Sequence, residues 1–169
     1  MRFQLIDELS EWTPGKKLTA KKLLTLGEEY LGDHFPGFPV MPGVLMLEAL
    51  TEASAWLWRL SENYATTVIV LREVKGVKYG NFMKPGYCLD LQTELVKLEG
   101  GLGTFKGKGS CEGQLCVSAQ LILAGYTLES KHPDRAEEMR ERDSHLRDHW
   151  KQRLGVLTTS PASWTLTPG

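Results

Sequence analysis

From Gly43 to about Ser61 the chain is apolar almost all round, in the run Gly-Val-Leu-Met-Leu-Glu-Ala-Leu-Thr-Glu-Ala-Ser-Ala-Trp-Leu-Trp-Arg-Leu. Good helix formers with no proline or glycine after the first residue predict a helix. A helix without a solvated face must be wrapped by other elements or covered by a partner subunit. Its polar exceptions, Glu48, Thr51, Glu52 and Arg59, recur at helical spacing and form one stripe.

Residues 66–128 have the other period. Thr67–Leu71, Leu89–Leu95, Thr104–Cys111 and Gln114–Tyr126 read as strands. Glu112-Gly113 is a two-residue hairpin signal and Gly100–Gly103 a longer one, so these strands run as an antiparallel meander. In the second strand Leu89, Leu91 and Leu95 share one face while Val96 and Leu98 share the other, which a β-bulge reconciles. In the third, Phe105, Gly107, Gly109 and Cys111 share a face, and its glycines let a helix or ligand approach the backbone. Before the helix, residues 1–33 read as a short lead-in, a turn at Thr13-Pro14-Gly15 and a strand near Lys16–Leu26. One long apolar helix with an antiparallel sheet curled around it is an α+β plan.

From Ser130 the pattern changes to a heavily charged helix whose apolar stripe is thin: Met139, Leu146, Trp150 and Leu154. Pro133 suits its first turn and Gly155 its end, and Val156–Gly169 reads as irregular. The chain therefore divides into a body, 1–129, and a helical extension with an irregular tail, 130–169. The stripe is too thin to fold alone, so the helix is expected to dock on the body or on a neighbouring subunit.

Charge adds little. Residues 1–130 carry 13 Lys and Arg against 15 Asp and Glu, and 131–169 carry 7 against 6, so neither part is a nucleic-acid footprint. No basic segment precedes an apolar run at the start, and the apolar helix is interrupted by charge, so a cytoplasmic protein without a membrane span is expected. Three cysteines without metal-ligand spacing read as buried reduced thiols. His145 and His149 stand at i,i+4 without an evident third ligand and read as a solvated face. Gly101–Gly109 lacks the first glycine of a phosphate loop and no helix follows it.

Candidate chemistry lies where the turn meets the helix. His34-Phe-Pro-Gly-Phe-Pro-Val-Met-Pro-Gly-Val44 holds three prolines and two glycines between His34 and Gly43, and His34 is the only imidazole in the first 131 residues. An imidazole titrates near neutrality and suits a general base. The glycine at 43 can offer its helix N-terminal N–H to an oxygen. Glu48, little more than a turn inside, can supply a proton. A base, an oxyanion donor and an acid suit proton abstraction beside a thioester carbonyl with loss of a 3-hydroxyl. Spacing alone equally allows a capping histidine and a solvated glutamate.

The run from His34 to Glu48, with its glutamate fourteen residues after the histidine, resembles the signature of FabZ-type 3-hydroxyacyl-[acyl-carrier-protein] dehydratases. The resemblance extends over residues 3–128, through Phe3–Asp7, Pro14-Gly15-Lys16, Val77-Lys78-Tyr79, Pro85-Gly86 and Gly103–Lys108. It implies a hotdog fold, with a curled antiparallel sheet around a long central helix, and here an extra C-terminal helix. It implies no metal or organic cofactor. The implied assembly is a homodimer or a trimer of dimers, each site joining the histidine of one subunit to the glutamate of the other. The implied partner is an acyl carrier protein bearing a 3-hydroxyacyl-phosphopantetheine. His34 and Glu48 would be catalytic, Gly43, Val44 and Phe35 would bind substrate, and Glu52, where the family usually has glutamine, would act behind Glu48. Gly80, Asn81 and Phe82 stand where two arginines and a proline usually follow. Two other readings are a non-catalytic acyl-thioester- or carrier-binding subunit and an acyl thioesterase.

Overall fold

The structure is a computed structural model that describes residues 4–158. Two strands, β1 (Glu8–Thr13) and β2 (Lys17–Leu23), precede a 3-10 turn at Glu29–Gly32 and the long helix α1 (Gly43–Ser61). Four longer strands follow: β3 (Val68–Tyr79), β4 (Cys88–Glu99), β5 (Leu102–Cys111) and β6 (Gln114–Tyr126). The short helix α2 (Leu128–Lys131), a 3-10 turn at Pro133–Arg135 and α3 (Ala136–Thr158) complete the chain. All strand pairs are antiparallel, in one sheet ordered β1-β2-β4-β5-β6-β3.

Helix α1 lies against β2, β3, β4, β5 and β6, so the sheet curls round it in the hotdog arrangement. The all-round apolar sequence requires this covering. Ala49, Leu50, Ala53 and Leu57 have no exposure, and Trp58 is almost as deeply buried. Close approach is made possible by the inner-face glycines: a Cβ at Gly107 would lie 3.2 Å from the Leu50 side chain, and one at Gly103 2.8 Å from the Trp58 ring. The phase flip in β4 is a bulge, with the register shift between Leu95 and Lys97 and Val96 turned outward.

Three expectations are corrected. The first strand β1 was not legible, because its pattern is one buried residue, Leu9, among exposed ones. The strands after α1 are not a simple meander: β3 pairs with β6 at the far edge, and β4 sits between β2 and β5. This order puts β2 and β3 towards opposite ends of the sheet, and α1 touches both. Helix α3 also runs through Gly155 to Thr158, because Leu157 is buried and its packing outweighs a glycine in the helix interior, which costs about 1 kcal/mol. The rest of the stretch expected to be irregular, 159–169, lies outside the described residues.

Helix α3 docks on the body as its stripe requires. Trp150 and Leu154 pack on the main core. Its one deeply buried charge, Asp143, accepts hydrogen bonds from the Leu128 N–H at 2.9 Å, the Glu129 N–H at 3.0 Å and the Thr67 hydroxyl. Removal from water works against ionisation of this carboxyl, but these three donors together hold it below its ordinary value. Arg147 donates to the carbonyls of Tyr64 and Ala65 just beyond α1.

Candidate active site

The turn into α1 is held by its own backbone. The His34 N–H donates to the Tyr30 carbonyl at 3.0 Å, and the Val40 N–H returns to the His34 carbonyl at 3.1 Å. Between them, Phe35 and Phe38 exchange backbone hydrogen bonds, closing the proline- and glycine-rich loop. The His34–Phe35 peptide is cis, and the two rings stack with centroids 4.2 Å apart. The next residue inward, Met41, is anchored by its N–H to the Met83 carbonyl at 2.9 Å.

This loop fixes the chemistry of the imidazole. His34 Nδ1 lies 3.0 Å from the Val40 carbonyl oxygen. A carbonyl only accepts, so Nδ1 is the donor here, and in the neutral ring the lone pair is on Nε2. The half-buried ring is therefore oriented and presents its basic nitrogen away from the loop.

Gly43 is the first residue of α1, so its N–H has no intrahelical carbonyl to meet. A Cβ there would stand 2.9 Å from the Tyr79 ring, and a side chain would push the ring off the helix end. Val44 in the first turn and Phe35 in the preceding loop are both exposed, at 66% and 53%. Gly43 and Val44 open the helix, and His34 and Phe35 stand at the beginning of the turn that leads into it.

Glu48 lies a little more than one turn further along α1. It lines a cavity of about 380 Å³ between α1 and α3, with Glu52, Arg59, His149, Trp150 and Arg153 among its walls. None of His34, Phe35, Gly43 or Val44 lines it. Within one chain, Glu48 shares this cavity with Glu52, and His34 is not part of its lining. The polar stripe read from the sequence is this cavity's floor.

Burial raises the Glu48 carboxyl above its ordinary value. At Glu52 burial does the same more strongly, and the neighbouring Glu48 charge adds to it. The N–H groups of Leu5 and Ile6, which donate to Glu52 at 3.0 and 3.3 Å, and the charge of Arg153 act in the other direction. The Glu52 carboxyl ends at about 7. Glu52 makes no ion pair with Arg59; it is held by the Leu5 and Ile6 N–H groups, with the charge of Arg153 acting on it.

The α3 side of this cavity was missed. His149, read as a solvated residue, lines the cavity and meets the Trp150 ring edge-on at 5.1 Å. Arg59 and Arg153 were not singled out as site residues. The one available signal was that α3's thin stripe needed a landing place and α1's polar stripe was the uncovered strip. Cys111 and Cys116 are buried free thiols, and Cys88 is a half-buried one. Among the described residues no group of three or more His, Cys, Asp or Glu side chains is placed to hold a metal ion.

Comparison with known proteins gives a consistent result. Residues 1–120 match the model of the FabA-like domain. The chain is 38% identical over 137 residues to a 3-hydroxyacyl-[acyl-carrier-protein] dehydratase FabZ of Myxococcus xanthus, covering 80% of this chain and 88% of that one. It is 34% identical over 132 residues to the FabZ of a Janthinobacterium, covering 76% and 85%. Among solved structures, the dehydratase heterocomplex ApeI:P from Xenorhabdus doucetiae superposes with a TM-score of 0.60 at 18% identity, over 73% of this chain and 83% of its own. The smu.793 protein of Streptococcus mutans, bound to acetyl CoA, superposes with a TM-score of 0.55 at 13% identity, over 75% and 92%. These structural likenesses establish the fold.

Proposed function

The chain belongs to the FabA-like domain family, alongside the FabZ 3-hydroxyacyl-[acyl-carrier-protein] dehydratases, and from that premise we propose how its own residues perform the reaction. The protein is a lyase that removes water from a 3-hydroxyacyl thioester on acyl carrier protein, giving the trans-2-enoyl thioester in fatty-acid synthesis. His34 Nε2 takes the proton from C2. The electron pair left behind forms the C2–C3 double bond as the C3–O bond breaks, and Glu48 gives its proton to the departing hydroxyl, which leaves as water. The Gly43 N–H donates to the thioester oxygen as negative charge develops there. Phe35 and Val44 flank the thioester end. Solvent returns the proton from His34 to Glu48 between turnovers.

The observation that carries this reading is the hydrogen bond between His34 Nδ1 and the Val40 carbonyl, since it leaves Nε2 as an oriented base. The raised Glu48 carboxyl supports the acid role, because a general acid must hold its proton near neutral pH. The separation of His34 from the Glu48 cavity within one chain supports a site shared between two subunits. So does β3, an edge strand whose outer backbone is unpaired in the single chain and is suited to continue the sheet into a second copy. The assembly is a homodimer or a trimer of dimers. No helix of the described residues is long and apolar enough to cross a membrane; a cytoplasmic location is part of this proposal.

The test is subunit mixing. His34→Ala and Glu48→Gln are each assayed on a 3-hydroxyacyl-carrier thioester by enoyl absorbance, with free thiol followed in parallel. Each alone is inactive, and mixing restores part of the activity because a mixed dimer holds one site with both native residues. Persistent inactivity after demonstrated subunit exchange removes the shared site. Thiol release without enoyl product makes the protein a thioesterase.

A further inference from the structure

Arg59 is the least explained side chain of the cavity. It is 5% exposed, and its Nε has no hydrogen-bond partner among the described residues. Its guanidinium lies 3.9 Å from the Trp150 ring centroid and 5.8 Å from that of Trp56. Stacking on aromatic faces occupies the flat of a guanidinium and leaves its edge, where the N–H donors lie, unspent. Arg153, half-buried on α3, lines the same cavity. Among the described residues neither arginine makes an ion pair. The charge of Glu52 acts on both arginines, but burial discourages Glu52 and Glu48 from ionising, so the cavity's positive charge is only partly cancelled from within. A buried cation without an acceptor is costly, and a cavity beside it invites an anion.

The cavity also has a direction. It starts at Glu48, where the acid must meet the 3-hydroxyl, and follows α1 past Glu52 towards Arg59. Eleven residues of helix place the two Cα atoms about 16 Å apart, and an arginine side chain on a helix leans back toward the N-terminus. An acyl chain extending from C3 along this line brings its far end to the two guanidinium groups.

We propose that the cavity between α1 and α3 receives the distal part of the acyl chain, and that Arg59 and Arg153 select chains ending in a carboxylate. The planar fork of arginine matches a carboxylate in a way that it does not match a methyl end. Trp150 holds Arg59 in place, and α3 supplies Arg153, so the extension beyond the family's usual length carries the specificity. This inference rests on the placement of Glu48 at the 3-hydroxyl.

The experiment compares two carrier-bound 3-hydroxyacyl thioesters of equal chain length, one ending in methyl and one in carboxylate, on the full-length protein. The carboxylate substrate is favoured in kcat/KM by about tenfold or more, mainly through KM, and the preference collapses in Arg59→Met and in Arg153→Met. Arg153 is half-buried, so its variant remains informative if Arg59→Met fails to fold. Calorimetry with the corresponding saturated acyl-pantetheines, which cannot be dehydrated, reads the same preference as binding. Dehydration of both substrates with the methyl chain favoured, or with a preference that Arg153→Met does not alter, overturns the inference and leaves the dehydratase reading intact. Dehydration of neither substrate overturns the dehydratase reading, and equal binding of the two saturated analogues then overturns the inference as well.

Discussion

The two ends of α1 both present polar groups, but they are held by different things. At the N-terminal end His34 is fixed by local backbone: Tyr30, Val40 and the Phe35–Phe38 pair lie within six residues of it. At the C-terminal half, Glu52 and Arg59 are held by segments far away in the chain, Leu5 and Ile6 on one side and Trp150 on the other. A geometry set locally survives changes elsewhere in the fold. One set by a docked helix is only as firm as the docking. Changes at the first end should therefore alter chemistry without stability, and changes at the second should alter stability and acidity first.

The largest effect tests the first half of that contrast. His34→Ala should lower kcat by about 10²–10⁴-fold, the range of a lost general base, with the thermal midpoint left close to that of the parent. Enoyl formation and a melting curve on the same sample check both parts. Near-parental turnover would remove the base assignment, and a large drop in midpoint would mean that the turn depends on its imidazole.

How much of this could be read from the sequence follows the same division. The turn and α1 were legible to the residue, because prolines and glycines constrain the backbone locally and an unbroken apolar run has one stable use. The bulge at Val96 was legible too, since a phase flip in a period-two pattern has few solutions. The position of β3 was not, because strand order depends on which flank of the helix needs cover, a property of the assembled sheet. Nor was the role of Arg59 and Arg153. On the sequence one was the odd residue in an apolar helix and the other a charge among many, and only the docking of α3 makes them neighbours.

The second half of the contrast is tested on α3. Trp150→Ala should destabilise the protein by about 3 kcal/mol, in the range for loss of a packed tryptophan, read by chemical denaturation. Its effect on turnover of a simple substrate should be far smaller than that of His34→Ala. A comparable loss of turnover in a folded variant would make α3 part of the chemistry and erase the distinction. Asp143 gives a milder version. Its carboxyl sits below its ordinary 3.8, so its contribution is complete above that value and is lost as pH falls towards its depressed folded value. Asp143→Asn should cost roughly 1–3 kcal/mol at pH 7 and should flatten the loss of stability seen between about pH 4 and lower pH.

The smallest effect is at the meeting point of the two halves. Glu52→Gln removes one member of the carboxyl pair. A general acid fails as pH rises through its own value, so the alkaline limb of the pH–rate profile should move to lower pH by less than about one unit. Glu52 is raised in the fold to about 7, so its stabilising contribution is present below 4.5 and is lost as pH rises through about 7. The variant should therefore lose less stability than its parent between pH 5 and 8. An unmoved limb with altered stability would leave Glu52 as a tether for Leu5 and Ile6 alone.

Because α3 follows every strand in the chain, it leaves the ribosome after the sheet and α1 have their partners. Until it lands, the strip containing Glu48, Glu52 and Arg59 lacks its α3 wall, so its carboxyls are more open to water. The site thus matures in two stages. The turn that orients the imidazole forms early from neighbouring residues, and the dry pocket that makes a glutamate hold its proton forms last. A chain whose α3 has not yet docked would carry the oriented base beside a wetter Glu48 that holds its proton less well, a milder defect than loss of the imidazole.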